Sequence, residues 1–310
     1  MILVAGGSGF IGAAVVRELA GRGERVRVLT RSPARVRAKF AGLDVEPAEG
    51  DVAAPGTLSR AMEGCEAAVA SMQFQGFPVE QPRKGWTFAE VDGRGTERLV
   101  GAAKEAGVRV FVYVSGVGAA PDAARHWFRV KWQAEQAVAG SGMEYAVFRP
   151  SWVYGPEDSA LNRFVGFARR LPLLPVIGSG AQRLQPVFVR DVAWCIAESL
   201  ARPETRGRAY EIGGPDVLTM DEILRAMLRV MGRRRRLLHV PAWTVRAAAH
   251  VLRRLPNPPL SPDAVAFVTG DAVADNTALL QTFAPRLTPL EEGLASYLSP
   301  RGPQETGAAS

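Results

Sequence analysis

Ile2-Leu3-Val4-Ala5-Gly6-Gly7-Ser8-Gly9-Phe10-Ile11-Gly12 is the stretch on which the architecture turns. Ile2 to Ala5 are apolar without alternation, the pattern of a parallel strand covered on both faces. From Phe10 to Ala20, the residues Ile11, Ala14, Val15 and Leu19 fall on one side of a helix, and Gly21 and Gly23 stop it. Between strand and helix stand Gly6, Gly9 and Gly12. In that context Gly6 permits a tight turn and Gly9 lets backbone approach a pyrophosphate at the helix N-terminus. Gly12 lets the helix lie close to the strand. The alternative is a glycine-rich turn with no ligand.

Outward from this stretch the pattern repeats. Val26–Leu29, the run from Leu43 to Val45, Ala67–Ser71, Val108–Ser115 and Tyr145–Phe148 read as strands. Helical patterns separate them: one opening at Ser32-Pro33, then Leu58–Met62, Thr96–Ala106 and Arg125–Ala139. Such alternation predicts an α/β fold, a Rossmann-type doubly wound parallel sheet with right-handed crossovers. After Arg149-Pro150, Pro and Gly become frequent, and only Pro186–Val189 and Ala209–Ile212 still look like strands. The expected organisation is a dinucleotide-binding domain over 1–150 and a smaller, interleaved substrate-side region over 151–298 with returns to the main sheet. The tail 299–310, poor in large apolar residues, is expected to be disordered.

The end of the second strand should carry the group that reads the adenosine ribose. An acid there would favour NAD. The chain has Thr30-Arg31-Ser32 instead, with Arg35 one helical turn on. Arg31 and Arg35 suit a 2′-phosphate through charge-assisted bonds, which favours NADP(H) over NAD(H). The alternative is two surface arginines on a short helix. Asp51 either accepts a bond from the adenine amino group or caps the helix near Pro55.

The glycine pattern, Val112-Tyr113-Val114-Ser115, the run Phe148-Arg149-Pro150-Ser151-Trp152-Val153-Tyr154-Gly155-Pro156 and the run from Gln185 to Ala193 together resemble the extended and atypical short-chain dehydrogenase/reductase superfamily. Tyr210-Glu211-Ile212-Gly213-Gly214-Pro215 with Leu218-Thr219 is similar to its branch containing the nucleotide-binding accessory subunit of respiratory complex I and bacterial relatives. The resemblance runs from Met1 to about Leu298. It implies cofactor contacts from the glycine loop with Phe10 and Ile11, from Arg31, Asp51, Val52, Ser71, Ser115 and Lys131, and from Pro150, Ser151 and Val153.

The superfamily's usual engine is Tyr-x-x-x-Lys, in which the lysine binds the nicotinamide ribose and lowers the tyrosine pKa. The matching segment here is Trp127-Phe128-Arg129-Val130-Lys131, and an indole has no proton to give near neutral pH. Lys131 stands out independently, because Trp127, Lys131, Ala134 and Val138 form one helical stripe. A lysine in an apolar stripe needs a partner. A ribose diol supplies one; the alternatives are water reached past the apolar surface, or Glu135 one turn on. Lys131 is the catalytic candidate, able to supply the proton if burial lowers its pKa. His126 and Tyr154 are weaker candidates as proton donors, since a surface histidine and a packing tyrosine are the common roles at such positions.

A net charge of +7 suits a polyanionic ligand or an anionic surface without choosing among them. The arginines are scattered and no stacking platform is evident, so nucleic acid is not an expected partner. Cys65 and Cys195 sit in apolar runs, which argues against a disulfide framework and fits a reducing compartment. The first strand begins at Ile2, so no signal peptide is expected, and no apolar run would span a bilayer. Arg233-Arg234-Arg235-Arg236 precedes a helical pattern over 242–255. Arg246, His250, Arg253 and Arg254 share one face there, opposite Val245, Ala248, Ala249, Leu252 and Leu255. That pattern fits either an anionic membrane or acidic partner, or a solvated basic face. The expected location is the cytoplasm, with peripheral attachment to the inner membrane as its variant. No metal is expected. Two functions compete. One is an NADP-dependent oxidoreductase acting on a small carbonyl, quinone-like or isoprenoid-like molecule. The other is a non-catalytic NADPH-binding accessory or redox-sensing protein.

Overall fold

The computed structural model describes residues 1–252 and 261–299. In chain order the first half runs β1 (Ile2–Ala5), α1 (Phe10–Gly21), β2 (Val26–Thr30), α2 (Pro33–Lys39), β3 (Val45–Glu49), α3 (Leu58–Met62), β4 (Ala67–Ala70), α4 (Gly95–Glu105), β5 (Val110–Val114), α5 (His126–Ala139) and β6 (Glu144–Pro150). The second half runs β7 (Val153–Tyr154), α6 (Leu161–Arg170), β8 (Leu173–Ile177), β9 (Arg183–Leu184), β10 (Val187–Phe188), α7 (Val189–Ala201), β11 (Arg208–Ile212), β12 (Leu218–Thr219), α8 (Met220–Val230), β13 (Arg236–Val240), α9 (Ala242–Leu252), α10 (Pro262–Val268), α11 (Thr277–Phe283) and α12 (Leu290–Leu298).

Seven parallel strands form one sheet in the order β11-β6-β5-β4-β1-β2-β3. Strands β1, β4 and β5 are buried along their whole length, which is why their sequences are unbroken apolar runs. Leu58, Met62, Leu99, Ala103, Ala134 and Val138 bring α3, α4 and α5 onto one face of the sheet, against Leu3, Phe111 and Tyr113. Helices α1 and α7 pack on each other, tied by Arg22 to Glu198 at 2.7 Å. The chain travels from β1 outward to β3 and then returns to β4 on the other side of β1. That reversal makes the C-terminal ends of β1 and β4 the switch point at which such sheets bind ligands.

Two compact units emerge, with the boundaries interleaved. The first comprises Met1–Ser151, Val189–Ile212 and Ala274–Arg286; the second takes Trp152–Phe188, Gly213–Val273 and the chain from Leu287. Among the described residues, three two-stranded sheets belong to the second unit: β7 with β10, β9 with β12, and β8 with β13. Pro175 sits inside β8, tolerable in a ribbon that is all edge. Helix α8 opens with a reciprocal cap between Thr219 and Glu222 and buries Met220, Ile223, Leu224 and Met227. Of the basic helix read over 242–255, Arg253, Arg254 and Leu255 lie outside the described residues. Within α9, Arg246 and His250 are exposed and Ala249 is buried, but Ala248 of the supposed apolar face is exposed as well. Of the tail 299–310, only Ser299 is described. Among the described residues no helix is long and apolar enough to cross a membrane. Both cysteines are buried and free.

Candidate functional site

At the switch point the loop from Gly6 to Gly9 joins β1 to α1. Gly6 has φ +80°, in the left-handed region, and a Cβ there would lie 2.5 Å from the Ser71 carbonyl oxygen. Gly9 turns back to donate its N–H to the Gly6 carbonyl at 2.8 Å. A Cβ on Gly12 would run into the Gly6 carbonyl oxygen and lie 2.6 Å from Ser71 Oγ, so helix and strand approach to a distance only glycine permits. No side chain caps α1, and its first turn carries no acid. The positive end of the helix is thus left for an anion brought by a ligand.

This loop is one wall of a cleft of about 550 Å³ within the first unit. Gly6, Gly9, Phe10, Ile11, Arg31, Arg35, Asp51, Val52, Ser71, Ser115 and Lys131 all line it. Gly12 lies beneath the loop. Pro150 and Ser151 do not line the cleft: Pro150 ends β6 and Ser151 follows it, where Val117 N–H donates to the Pro150 carbonyl and Ser151 N–H to that of Ile212. Val153 belongs to the second unit, paired with Val187. Arg31 and Arg35 are both exposed, and Arg31 approaches Asp51 Oδ2 only to 3.9 Å. Asp51 also accepts from Ala53 N–H at 2.9 Å, so it braces the local turn while its other oxygen faces Arg31.

Lys131 pairs with Asp92, which the sequence reading did not single out. Their Nζ–Oδ1 distance is 3.0 Å, with the Lys131 side chain 12% exposed and that of Asp92 not exposed at all. Asp92 sits in a π-helical turn, Phe88–Arg94, that feeds into α4 and packs on α5. Such turns insert a residue into the helix, and they recur at functional sites. The Thr96 hydroxyl holds the Asp92 carbonyl at 2.7 Å. Tyr113 lies below, its ring centre 5.9 Å from Lys131 Nζ. Burial acts to lower the Lys131 ammonium, but Tyr113 and Asp92 overcome it and hold Lys131 above the ordinary lysine value. Burial pushes the Tyr113 hydroxyl up to about 12. The expected depression of Lys131 is therefore corrected: desolvation is outweighed by a carboxylate in contact. A raised lysine contributes stability that is complete below its unfolded value of about 10.4 and is lost only as pH climbs through the folded one. The stability difference between wild type and a Lys131→Met variant should accordingly stay constant from neutrality to about pH 9. Chemical denaturation at several pH values measures it, and a difference that shrinks steadily across that window would overturn the assignment.

Glu135, offered as an alternative partner for Lys131, is committed elsewhere. It takes Arg149 in a two-pronged pair, Nε–Oε1 3.0 Å and Nη2–Oε2 2.5 Å. Trp127 is buried in a cluster with Phe74 and Phe88, stacked on Phe88 at 5.8 Å. It fills the tyrosine's helical position with packing surface. His126 pairs with Glu80 at 3.2 Å. Tyr154 is fully buried in the second unit, where its ring meets Phe188 and crowds Gly293, so it is a packing residue there. Ser115 is buried against the cleft, and its hydroxyl has no partner among the described residues. The same holds for Asp92 Oδ2. Buried polar atoms without partners are uncommon, and at Ser115, which lines the cleft, such an atom marks where a ligand completes the bonding. Met72, Gln73, Phe74, Gln75, Trp86 and Val91 complete the lining. A glycine cradle, an open helix end, exposed arginines and a buried ammonium together fit a nicotinamide dinucleotide.

The sequence profile described as NAD(P)H-binding matches residues 6–168, more than half of the chain, and that of the NAD dependent epimerase/dehydratase family matches 125–213. The chain belongs to the NAD(P)H-binding family. Within the short-chain dehydrogenase/reductase superfamily it is 29% identical over 89% of its length to "NADH dehydrogenase [ubiquinone] 1 alpha subcomplex subunit 9, mitochondrial" of Arabidopsis thaliana, 71% of which is covered. It is 30% identical to the ceramide reductase of Caulobacter vibrioides, over 78% of this chain and 74% of that one. In fold, this NAD(P)H-binding chain resembles the NADPH-dependent quinone oxidoreductase QOR2 of Escherichia coli, solved with NADPH. The TM-score is 0.72 at 19% identity, covering 95% of this chain and 99% of the other.

Proposed function

We propose that this protein is an NADPH-preferring reductase acting on a carbonyl or quinone-like substrate. The observation that carries it is a single cleft lined both by the glycine cradle and by Ser115, Lys131 and the aromatic Phe74 and Trp86. The reductase names of the Caulobacter relative and the Escherichia coli structure support the reaction class. The dinucleotide, when bound, supplies the hydride. The chain's own residues do the rest. Gly6, Gly9 and the start of α1, with Phe10 and Ile11, hold the pyrophosphate, with Gly12 and Ser71 setting the close approach beneath. Arg31 and Arg35 grip a 2′-phosphate, and Asp51 and Val52 border the adenine. Lys131, held as ammonium by Asp92, binds the ribose hydroxyls and stabilises negative charge forming on a substrate oxygen. Ser115 offers a hydroxyl to that same oxygen. Pro150, Ser151 and Val153 are kept as candidates on the resemblance alone. The cytoplasm is the proposed location.

Anaerobic assays of NADPH oxidation against quinones and aldehydes test the reaction. Turnover that falls at least tenfold in Lys131→Met is the expected result. One specific observation favours the second reading, an accessory nucleotide-binding protein: Trp127 is locked into an aromatic cluster where the proton-donating tyrosine would stand. NADPH binding with no turnover across the panel would establish that reading over ours. For the cofactor preference, Arg31→Ala should weaken NADPH about tenfold, the loss of one charge-assisted bond, and leave NADH unchanged. Calorimetric titration decides it, and equal losses for both nucleotides would remove Arg31 from 2′-phosphate recognition.

A further inference from the structure

From Ile223 to Pro262 the chain contains no aspartate or glutamate and nine arginines. In the second unit six of these, Arg225, Arg229, Arg233, Arg234, Arg235 and Arg236, line a cleft of about 640 Å³ together with Leu173. Two are ion-paired: Arg225 with Asp221 at 3.0 Å, and Arg229 with Glu291 at 2.6 Å. Arg235 donates to the Ala168 carbonyl at 3.1 Å, which anchors the run. Arg233, Arg234 and Arg236 are exposed and have no acidic partner among the described residues. The neighbouring ribbon explains what this charge faces. In β8 and β13, Leu174 and Val176 are buried while Leu173 is exposed. The parallel register sets Leu173 beside Arg236 and Pro175 beside Leu238, so these four share the outer face. Leu238 is 49% exposed there, and Trp243, at the start of α9, is 72% exposed.

Arginine forks match phosphate oxygens, and leucine with tryptophan around them suits the boundary between headgroups and acyl chains. The geometry points to a docking surface for an anionic phospholipid bilayer, built from Arg233, Arg234 and Arg236 with Leu173, Leu238 and Trp243. The cleft arginines take lipid phosphates, and the leucines and indole enter the interface. This surface shares no residue with the nucleotide cleft and does not depend on the reductase reading. It extends the membrane expectation for the 242–255 helix to a face whose charge is carried by the arginine run leading into β13.

Sedimentation of the full chain with vesicles tests it, using phosphatidylcholine alone and phosphatidylcholine mixed with phosphatidylglycerol. The expected result is binding to the mixed vesicles only, weakened by salt. The Arg233→Gln/Arg234→Gln/Arg236→Gln variant should lose about a hundredfold in partitioning, at about fivefold for each arginine near the surface. Leu238→Ser/Trp243→Ser should weaken what binding remains in high salt. The three exposed arginines make no ion pairs among the described residues, so unchanged thermal unfolding is expected of that variant. Absence of binding to mixed vesicles, or undiminished binding by the arginine variant, overturns the proposal. So does complete competition by inorganic phosphate with no effect of the Leu238 and Trp243 changes, which would make the cleft a soluble-anion site.

Discussion

Replacing Lys131 by methionine is expected to cost the fold about 3–5 kcal/mol, the usual penalty for stranding one member of a buried ion pair. The reason lies in Asp92. Its carboxylate is fully enclosed, one oxygen meets the Lys131 ammonium, and the other has no partner among the described residues. Without the lysine, that charge must be neutralised or hydrated inside the packing between α4 and α5. Burial already pushes the Asp92 carboxyl up. The variant should therefore recover part of its deficit as pH falls below neutrality, since a folded state with a raised carboxyl binds its proton first. Removing both charges, in Lys131→Met/Asp92→Leu, should restore most of the lost stability without restoring the turnover proposed above. Urea unfolding of the two singles and the double provides the cycle. If the double is no more stable than Lys131→Met, the pair is not the source of the penalty, and the lysine's role is confined to ligand contact.

The second large effect concerns Gly12. In Gly12→Val, a branched side chain must enter where even a Cβ collides with the Gly6 carbonyl and presses on Ser71 Oγ. Helix α1 has to move off β1, carrying with it the N–H groups of Phe10 and Ile11 and reshaping the cradle. NADPH affinity should fall at least a hundredfold, and stability by about 1–3 kcal/mol from overpacking. Gly21, in the last turn of the same helix, gives the control, because a Cβ there meets nothing within 4 Å. Gly21→Ala should leave affinity untouched and add up to about 1 kcal/mol of helix stability. Should Gly12→Val bind NADPH like wild type, the close approach of α1 to β1 does not shape the nucleotide site.

Much of the first unit was legible because its strands are buried on both faces and its turns obey glycine chemistry. Ile2–Ala5 and Val110–Val114 announce themselves as unbroken apolar runs. The second unit hid its strands. Leu173–Ile177 contains a proline, and Arg236–Val240 opens on an arginine run, so composition argued for loop where a two-stranded ribbon forms. At the site, the lysine on an apolar stripe was visible but its partner was not. The same test applied one helix earlier would have found it. Asp92, Thr96, Leu99 and Ala103 share one helical stripe, all of them buried. Two opposite charges on apolar stripes of neighbouring helices satisfy each other more cheaply than either does alone. What sequence could not reveal was the π-helical turn, Phe88–Arg94, in which Asp92 sits.

The sheet's last strand carries a consequence for synthesis. Strand β11 lies against β6 with Arg208 beside Ala146, and Phe283 of α11 packs its ring on Phe148 and Tyr210. A nascent chain that has just released residue 150 from the ribosome therefore holds six strands with an open edge. It must wait through the whole of 152–188 before the covering pieces begin to arrive, and until about residue 286 before the last is in place. During that interval β6 offers a row of unpaired backbone groups to any neighbouring chain. Chains stalled or truncated between about 150 and 208 should be the form of this protein most prone to clump and most in need of a chaperone.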